Sequence, residues 1–240
     1  MGRGSRYSAS WTRSIVSDAL VLFSNIGTLR VMSRDYCYRC RRPADSCLCP
    51  TEAPLAVRTK IVLLMHEKEW RRQKCATGRL ACLNLKDAEI IPGLAFDDVP
   101  RVRQLLDDPS NACMLLYPGE DALDLSAATF PSEALRDRRL VVFLIDATWQ
   151  CSRAVLRASP GLLELPRLKF TPRDKSRWII KKQPADWCLS TIEAIHELLM
   201  ALESAGLDSY QDKERLLAVF TAMQDYQVMR ATRTPNPRHR

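Results

Sequence analysis

The stretch LVVFLIDATWQCSRAVL, residues 140–156, decides the fold class. Its first six residues are apolar and rich in Val, Ile and Phe, the signature of a strand buried on both faces, as in parallel sheets. An acid, Asp146, follows directly. Thr148 can cap a helix, and Ala154, Val155 and Arg157 fall in a helical stretch behind it. Open α/β sheets bind ligands outside the carboxyl ends of their strands, so Asp146 stands where chemistry is usually placed. Capping of the next helix accounts for Asp146 or Thr148 equally well at this level.

Outward from that strand, the same alternation recurs. Residues 60–66 read as a strand, and 77–85 as a helix with Thr77 as its cap. Residues 88–91 read as a second strand ended by Pro92-Gly93, 101–106 as a short helix, and 113–117 as a strand ended by Pro118-Gly119. Residues 168–170 and 178–181 are short and ambiguous, and helices over about 190–204 and 211–229 close the chain. Strands alternating with helices predict an α/β fold, a mainly parallel sheet covered by helices.

At 240 residues the chain is long enough for a sizeable core. No apolar run approaches the roughly 18 residues of a membrane span, so no membrane partner is expected. Nine Cys, several of them scattered singly and with no clear secretory signal, point to a reducing compartment, the cytoplasm. The net charge of +8 is unevenly placed. Residues 1–53 carry eight Arg against four acids and residues 228–240 four Arg against none, whereas 54–227 balance at 24 and 24. Such ends attract polyanions, or simply keep the chain soluble. Residues 1–32 read as an extension outside the fold, a transit-like segment or a stretch upstream of a start at Met32. Residues 33–53 then form a Cys-rich module, 54–230 the main domain and 231–240 a basic tail.

The module carries Cys37-x2-Cys40-x6-Cys47-x-Cys49. Two close pairs of thiolates make a closed tetrahedral site, which is a structural zinc knuckle because no position remains for substrate. A redox CxxC or chance clustering are the competing readings. Arg39, Arg41 and Arg42 in its loop either grip RNA or solvate the loop. His66 to Trp70 evokes a metalloprotease helix, but Trp70 stands where the second His is required. Ser190 and Glu193 fit a capping box ahead of the stripe Ile192, Ile195, Leu199 and Leu202. A helix start capped in this way also offers N–H groups to a carboxylate or phosphate.

Asp146-Ala147-Thr148-Trp149 resembles the signature of the DTW-domain family, the tRNA-uridine aminocarboxypropyltransferases. The four cysteines, His66-x-x-Glu69-x-x-Arg72, Thr77-Gly78-Arg79-Leu80, Leu116-Tyr117-Pro118 and Leu189-Ser190-Thr191-Ile192-Glu193-Ala194 follow in the order of that family. The resemblance runs from about residue 35 to about residue 200. It implies a SPOUT-like sheet, a class in which the chain can be knotted, and transfer of a 3-amino-3-carboxypropyl group from S-adenosylmethionine to N3 of a tRNA uridine. Asp146, Thr148 and Trp149 are then the expected catalytic residues. Leu116, Tyr117, Pro118, Leu189, Ser190, Thr191 and Glu193 are expected to lie against S-adenosylmethionine, and His66, Glu69, Arg72, Thr77, Arg79 and Lys181 against substrate or RNA. One departure stands out: the family often has Arg-Lys-x-Pro where this chain has Lys181-Lys182-Gln183-Pro184, which keeps the charge but loses a planar two-pronged grip. Two other classes fit part of the pattern, a methyltransferase of similar fold and a non-catalytic zinc-dependent RNA-binding module. The latter has no need of an acid at the end of a buried strand.

Overall fold

The structure is a computed structural model that describes residues 35–72, 76–127, 135, 137–181, 185 and 187–233. The expected N-terminal extension, residues 1–32, and the end of the basic tail, residues 234–240, lie outside the described residues. Two short antiparallel strands, β1 (Tyr36–Cys37) and β2 (Arg42–Pro43), form the cysteine module. Beyond it comes a six-stranded sheet in the order β4-β3-β7-β5-β8-β6, in which every neighbouring pair is parallel. Its strands are β3 (Lys60–His66), β4 (Ala88–Gly93), β5 (Asn111–Leu116), β6 (Leu123–Asp124), β7 (Arg139–Asp146) and β8 (Arg167–Lys169). The α/β architecture expected from the sequence is therefore the one observed.

Helices α1 (Glu67–Arg72), α2 (Thr77–Asn84), α3 (Pro100–Asp107), α4 (Trp149–Ala158), α5 (Thr191–Ser204) and α6 (Arg215–Arg233) complete the fold. The alternation of side chains along a strand sends successive residues into two cores. Ile61, Leu63, Val142 and Leu144 join Leu80 of α2, Ile195 of α5 and Phe220 of α6 on one face. Val62, Leu64, Val141 and Phe143 join Val102 of α3 and Val155 of α4 on the other. This explains why β3 and the middle of β7 are apolar without a break: both faces are dry. Among the described residues no helix is long and apolar enough to cross a membrane.

Two local expectations are corrected and one ambiguity is resolved. Strand β4 does not stop before Pro92-Gly93 but runs through them. It is the sheet's edge, and an edge strand can accommodate the N–H that proline lacks. Thr77 is not the cap of α2; Ala76 holds that position and Thr77 is the first helical residue, itself buried. Residues 178–181 form no strand. They follow a segment pinned by side chains: Arg177 N–H donates to Glu193 Oε1 (2.5 Å), Ile179 N–H to Gln224 Oε1 (2.7 Å), and Gln224 Nε2 to the Arg177 carbonyl (3.0 Å).

The cysteine module is bolted to the main domain by the arginines expected to face solvent or RNA. Arg41, held at φ 55°, donates from Nη1 to the Trp70 carbonyl (3.0 Å) and lies over the Trp70 ring at 3.9 Å. Arg42 is buried, donates from Nε to the Ser46 carbonyl (2.8 Å) and lies 5.0 Å from the Tyr226 ring of α6. Only Arg39 of the three is exposed. Guanidinium groups stack on aromatic faces and shed water readily, which suits them to this inward role.

Candidate active site and metal centre

Asp146 is the last residue of β7, the strand between β3 and β5 at the middle of the sheet. It does not cap α4. Thr148 does, its side chain accepting from Cys151 N–H at 3.4 Å. Asp146 Oδ1 instead accepts a hydrogen bond from Thr191 Oγ1 (2.7 Å), the first residue of α5. On its other side the carboxylate meets the first turn of α2. A Cβ placed on Gly78 would lie 2.1 Å from Asp146 Oδ2 and 2.8 Å from Leu63 Cδ1, so only glycine leaves room. The acid thus sits between the starts of two helices.

Its protonation follows from competing effects. Burial disfavours the carboxylate most, and the like charge of Glu69 adds to this; the Thr191 hydrogen bond, Arg79 and Lys181 oppose it. Burial wins and pushes Asp146 up to about 6. A carboxylate with that affinity for protons is poised near neutral pH, as a general base must be.

The other expected residues gather at the same edge of the sheet in unequal roles. His66 ends β3, one position beyond Met65, the register partner of Asp146. It is buried, and its Nδ1 accepts from Lys68 N–H (3.1 Å), which leaves Nε2 to carry the proton. Glu69 is half-buried in α1, and Lys181 is exposed. The turn after β5 brings Leu116 and Tyr117, both half-buried, and exposed Pro118 beside β7. Leu189 is half-buried ahead of α5. Ser190 and Glu193 form the capping box as expected. Glu193 is saturated: Ser190 N–H (2.8 Å), Ser190 Oγ (2.6 Å), Ser176 Oγ (2.8 Å) and Arg177 N–H all donate to it. It fastens residues 176–177 to α5. The side chains of Arg72 and Trp149 and residues 182–184 lie outside the described residues. Cavities of about 290, 530 and 420 Å³ lie elsewhere, and none is lined by Asp146.

The sequence gives Gly78 no site role beyond its place in the Thr77-Gly78-Arg79-Leu80 motif; a glycine in a first helical turn beside an expected strand-end acid is the signal that could supply one. Trp70 enters the sequence reading only where a second histidine would be required, yet Arg79 of α2 also lies over its ring, at 4.6 Å.

The Sγ atoms of Cys37, Cys40, Cys47 and Cys49 all lie within 4.8 Å of one another, with Cys37–Cys49 at 3.5 Å and Cys40–Cys47 at 3.7 Å. Four thiolates about 2.3 Å from a tetrahedral zinc would stand about 3.8 Å apart, so the donor set fits zinc. Such a site is closed and structural.

Two outcomes follow. Cys47→Ser should lose the metal, and because structural zinc contributes on the order of 10–16 kcal/mol in small peptides, the module should loosen from Trp70. Metal analysis and hydrogen exchange over residues 35–50 check this. Gly78→Ala would ordinarily favour a helix by about 1 kcal/mol. Here the new methyl group must displace Asp146, and turnover should fall by about 100-fold, the scale for a misplaced reacting group. A more stable variant with unchanged turnover would contradict the close approach.

Residues 34–228 match the DTW domain. A fruit-fly (Drosophila melanogaster) protein named tRNA-uridine aminocarboxypropyltransferase 2 is 32% identical over 178 residues, covering 71% of this chain and 68% of its own. The mouse (Mus musculus) protein of the same name is 29% identical, with 71% of this chain and 57% of its own covered. An Arabidopsis thaliana protein named tRNA-uridine aminocarboxypropyltransferase A is 24% identical, with 81% of each covered. The chain therefore spans little more than half of the mouse protein. No solved structure matches it. With its strand-end Asp146, its four clustered cysteines and a domain match over most of its length, the chain belongs to the DTW-domain family.

Proposed function

We propose that this protein transfers the 3-amino-3-carboxypropyl group of S-adenosylmethionine to N3 of a uridine in tRNA and releases methylthioadenosine. The observation that carries this reading is Asp146, a desolvated acid held near neutral proton affinity at the carboxyl end of a central strand. The names of the relatives supply the reaction class.

The chemistry asks little of a metal. The attacked carbon adjoins a sulfonium, already a good leaving group. As the uridine N3–C bond forms, the C–S bond breaks and its electron pair stays on sulfur. The N3 proton must leave during attack, and Asp146 would accept it. Thr191 holds one carboxylate oxygen, leaving Oδ2 as the oxygen without that bond. Nε2 of His66 is a donor at the same sheet edge, suited to a uracil carbonyl. The turn at Leu116, Tyr117 and Pro118 and the segment Leu189-Ser190-Thr191 flank Asp146 and would hold the donor molecule. Thr148 fixes the start of α4 and thereby the aim of Asp146. The zinc would hold the cysteine module in shape, and through Arg41 the module buttresses Trp70 and Arg79.

Asp146→Asn should lower turnover about 10²–10⁴-fold, the usual share of a general base, with smaller changes in donor and tRNA affinity. By-product analysis checks the class: methylthioadenosine supports the assignment, S-adenosylhomocysteine would indicate methylation, and neither a binding module.

The pH dependence has a definite sign. Turnover at limiting substrate should rise through pH about 6 as Asp146 ionises. Folding responds oppositely. A carboxyl whose affinity for protons is raised by folding contributes stability below its unfolded value of 3.8, and loses that contribution as pH rises through about 6. Asp146→Asn should thus melt higher than the wild type at pH 8 and no higher at pH 4. Equal melting differences at both values would show that Asp146 is not desolvated.

A further inference from the structure

Among the described residues, three buried side-chain atoms have no hydrogen-bond partner: Thr59 Oγ1, Arg42 Nη2 and Arg79 Nη2. Thr59 precedes β3, at the far end of the strand from Asp146. Arg42 spends its Nε on the Ser46 carbonyl beneath α6. Arg79 is different. It is the third residue of α2, next to the Gly78 that touches Asp146, and only 5% of it is exposed.

A second cation, Arg41, lies beside it. Arg79 and Arg41 both lie over the Trp70 ring, and each repels the other's charge. Asp146 attracts the Arg79 guanidinium without bonding to its Nη2. A buried cationic donor left unpaired is costly, so a fold retains one where something else completes it. The missing group must be an anion with oxygens matched to a planar fork. It must also be small, because a phosphodiester of folded RNA cannot follow a guanidinium this deep. A terminal carboxylate can. Lys181, the other cation acting on Asp146, is exposed and has no fork.

Building on the reaction proposed above, we infer that Arg79 binds the carboxylate of the amino-acid portion of the donor. The contact anchors the chain that is transferred and makes the enzyme selective for a carboxylated donor over its aminopropyl counterpart. Arg79 is then a specificity residue, and Trp70 the platform that holds its fork.

The test compares S-adenosylmethionine, decarboxylated S-adenosylmethionine and methylthioadenosine as ligands of the zinc-loaded full chain by calorimetry. The wild type should prefer the carboxylated donor by about 10- to 100-fold, the range for a charged hydrogen bond. Arg79→Gln should reduce that preference to near one while leaving methylthioadenosine affinity intact, which also reports that the site is folded. Arg79→Lys keeps a cation over Trp70 and should retain part of the preference. A wild type that binds both donors equally, or an Arg79→Gln protein that keeps the preference, overturns the Arg79 assignment alone. A fall in tRNA affinity with donor preference unchanged overturns it in favour of an RNA phosphate. A wild type that binds none of the three ligands overturns the proposed reaction itself.

Discussion

The contact between the Asp146 carboxylate and the backbone of α2 at Gly78 is the constraint on which the rest of the site depends. A side chain at position 78 would occupy the space of Oδ2. Because none is there, α2 approaches the end of β7, and Thr191 of α5 closes on the other oxygen. Two helix starts would ordinarily favour a carboxylate and hold its proton affinity low. Here the packing that brings them together also removes water, and desolvation outweighs the single hydrogen bond and the two nearby cations. The acid is held in a form that resists ionisation, which costs stability above pH about 6.

Around this contact the structure arranges two layers of support. Glu193 and Gln224 take hold of residues 176–179 from α5 and α6, fixing the approach to Lys181. The cysteine module reaches the site through stacking, by way of Arg41, Trp70 and Arg79. A metal held by the four cysteines would therefore act on the site at a distance, through Arg41, one of the two cations over the Trp70 ring.

Both cores rest on the same residue-by-residue alternation. Strand β3 has all seven residues buried, which is possible only because helices cover both faces of the sheet. The buried Lys60 at its start is compatible with this because Asp87 and Glu89, each at 2.9 Å, neutralise it. Its ionic pairing lies at the end of the strand away from Asp146, so the charged groups of the fold and those of the site are kept apart.

The sequence by itself determined the fold class, the central strand with its terminal acid, the capping box at Ser190 and the four-cysteine module. Each is a local pattern: apolar runs, a cap three residues from its partner, cysteines a few residues apart. It did not determine which of Asp146 and Thr148 caps α4, since both can accept from a helix N–H; packing gave that bond to Thr148 and released Asp146 to Thr191. Nor could it show that Arg41 and Arg42 face inward, because their partners, Trp70 and Tyr226, lie 29 and 184 residues along the chain. The close approach of Gly78, the orphaned nitrogen of Arg79 and the proton affinity of Asp146 likewise belong to the tertiary structure. They arise from distances and lost water between segments far apart in sequence, and no local pattern of residues encodes those.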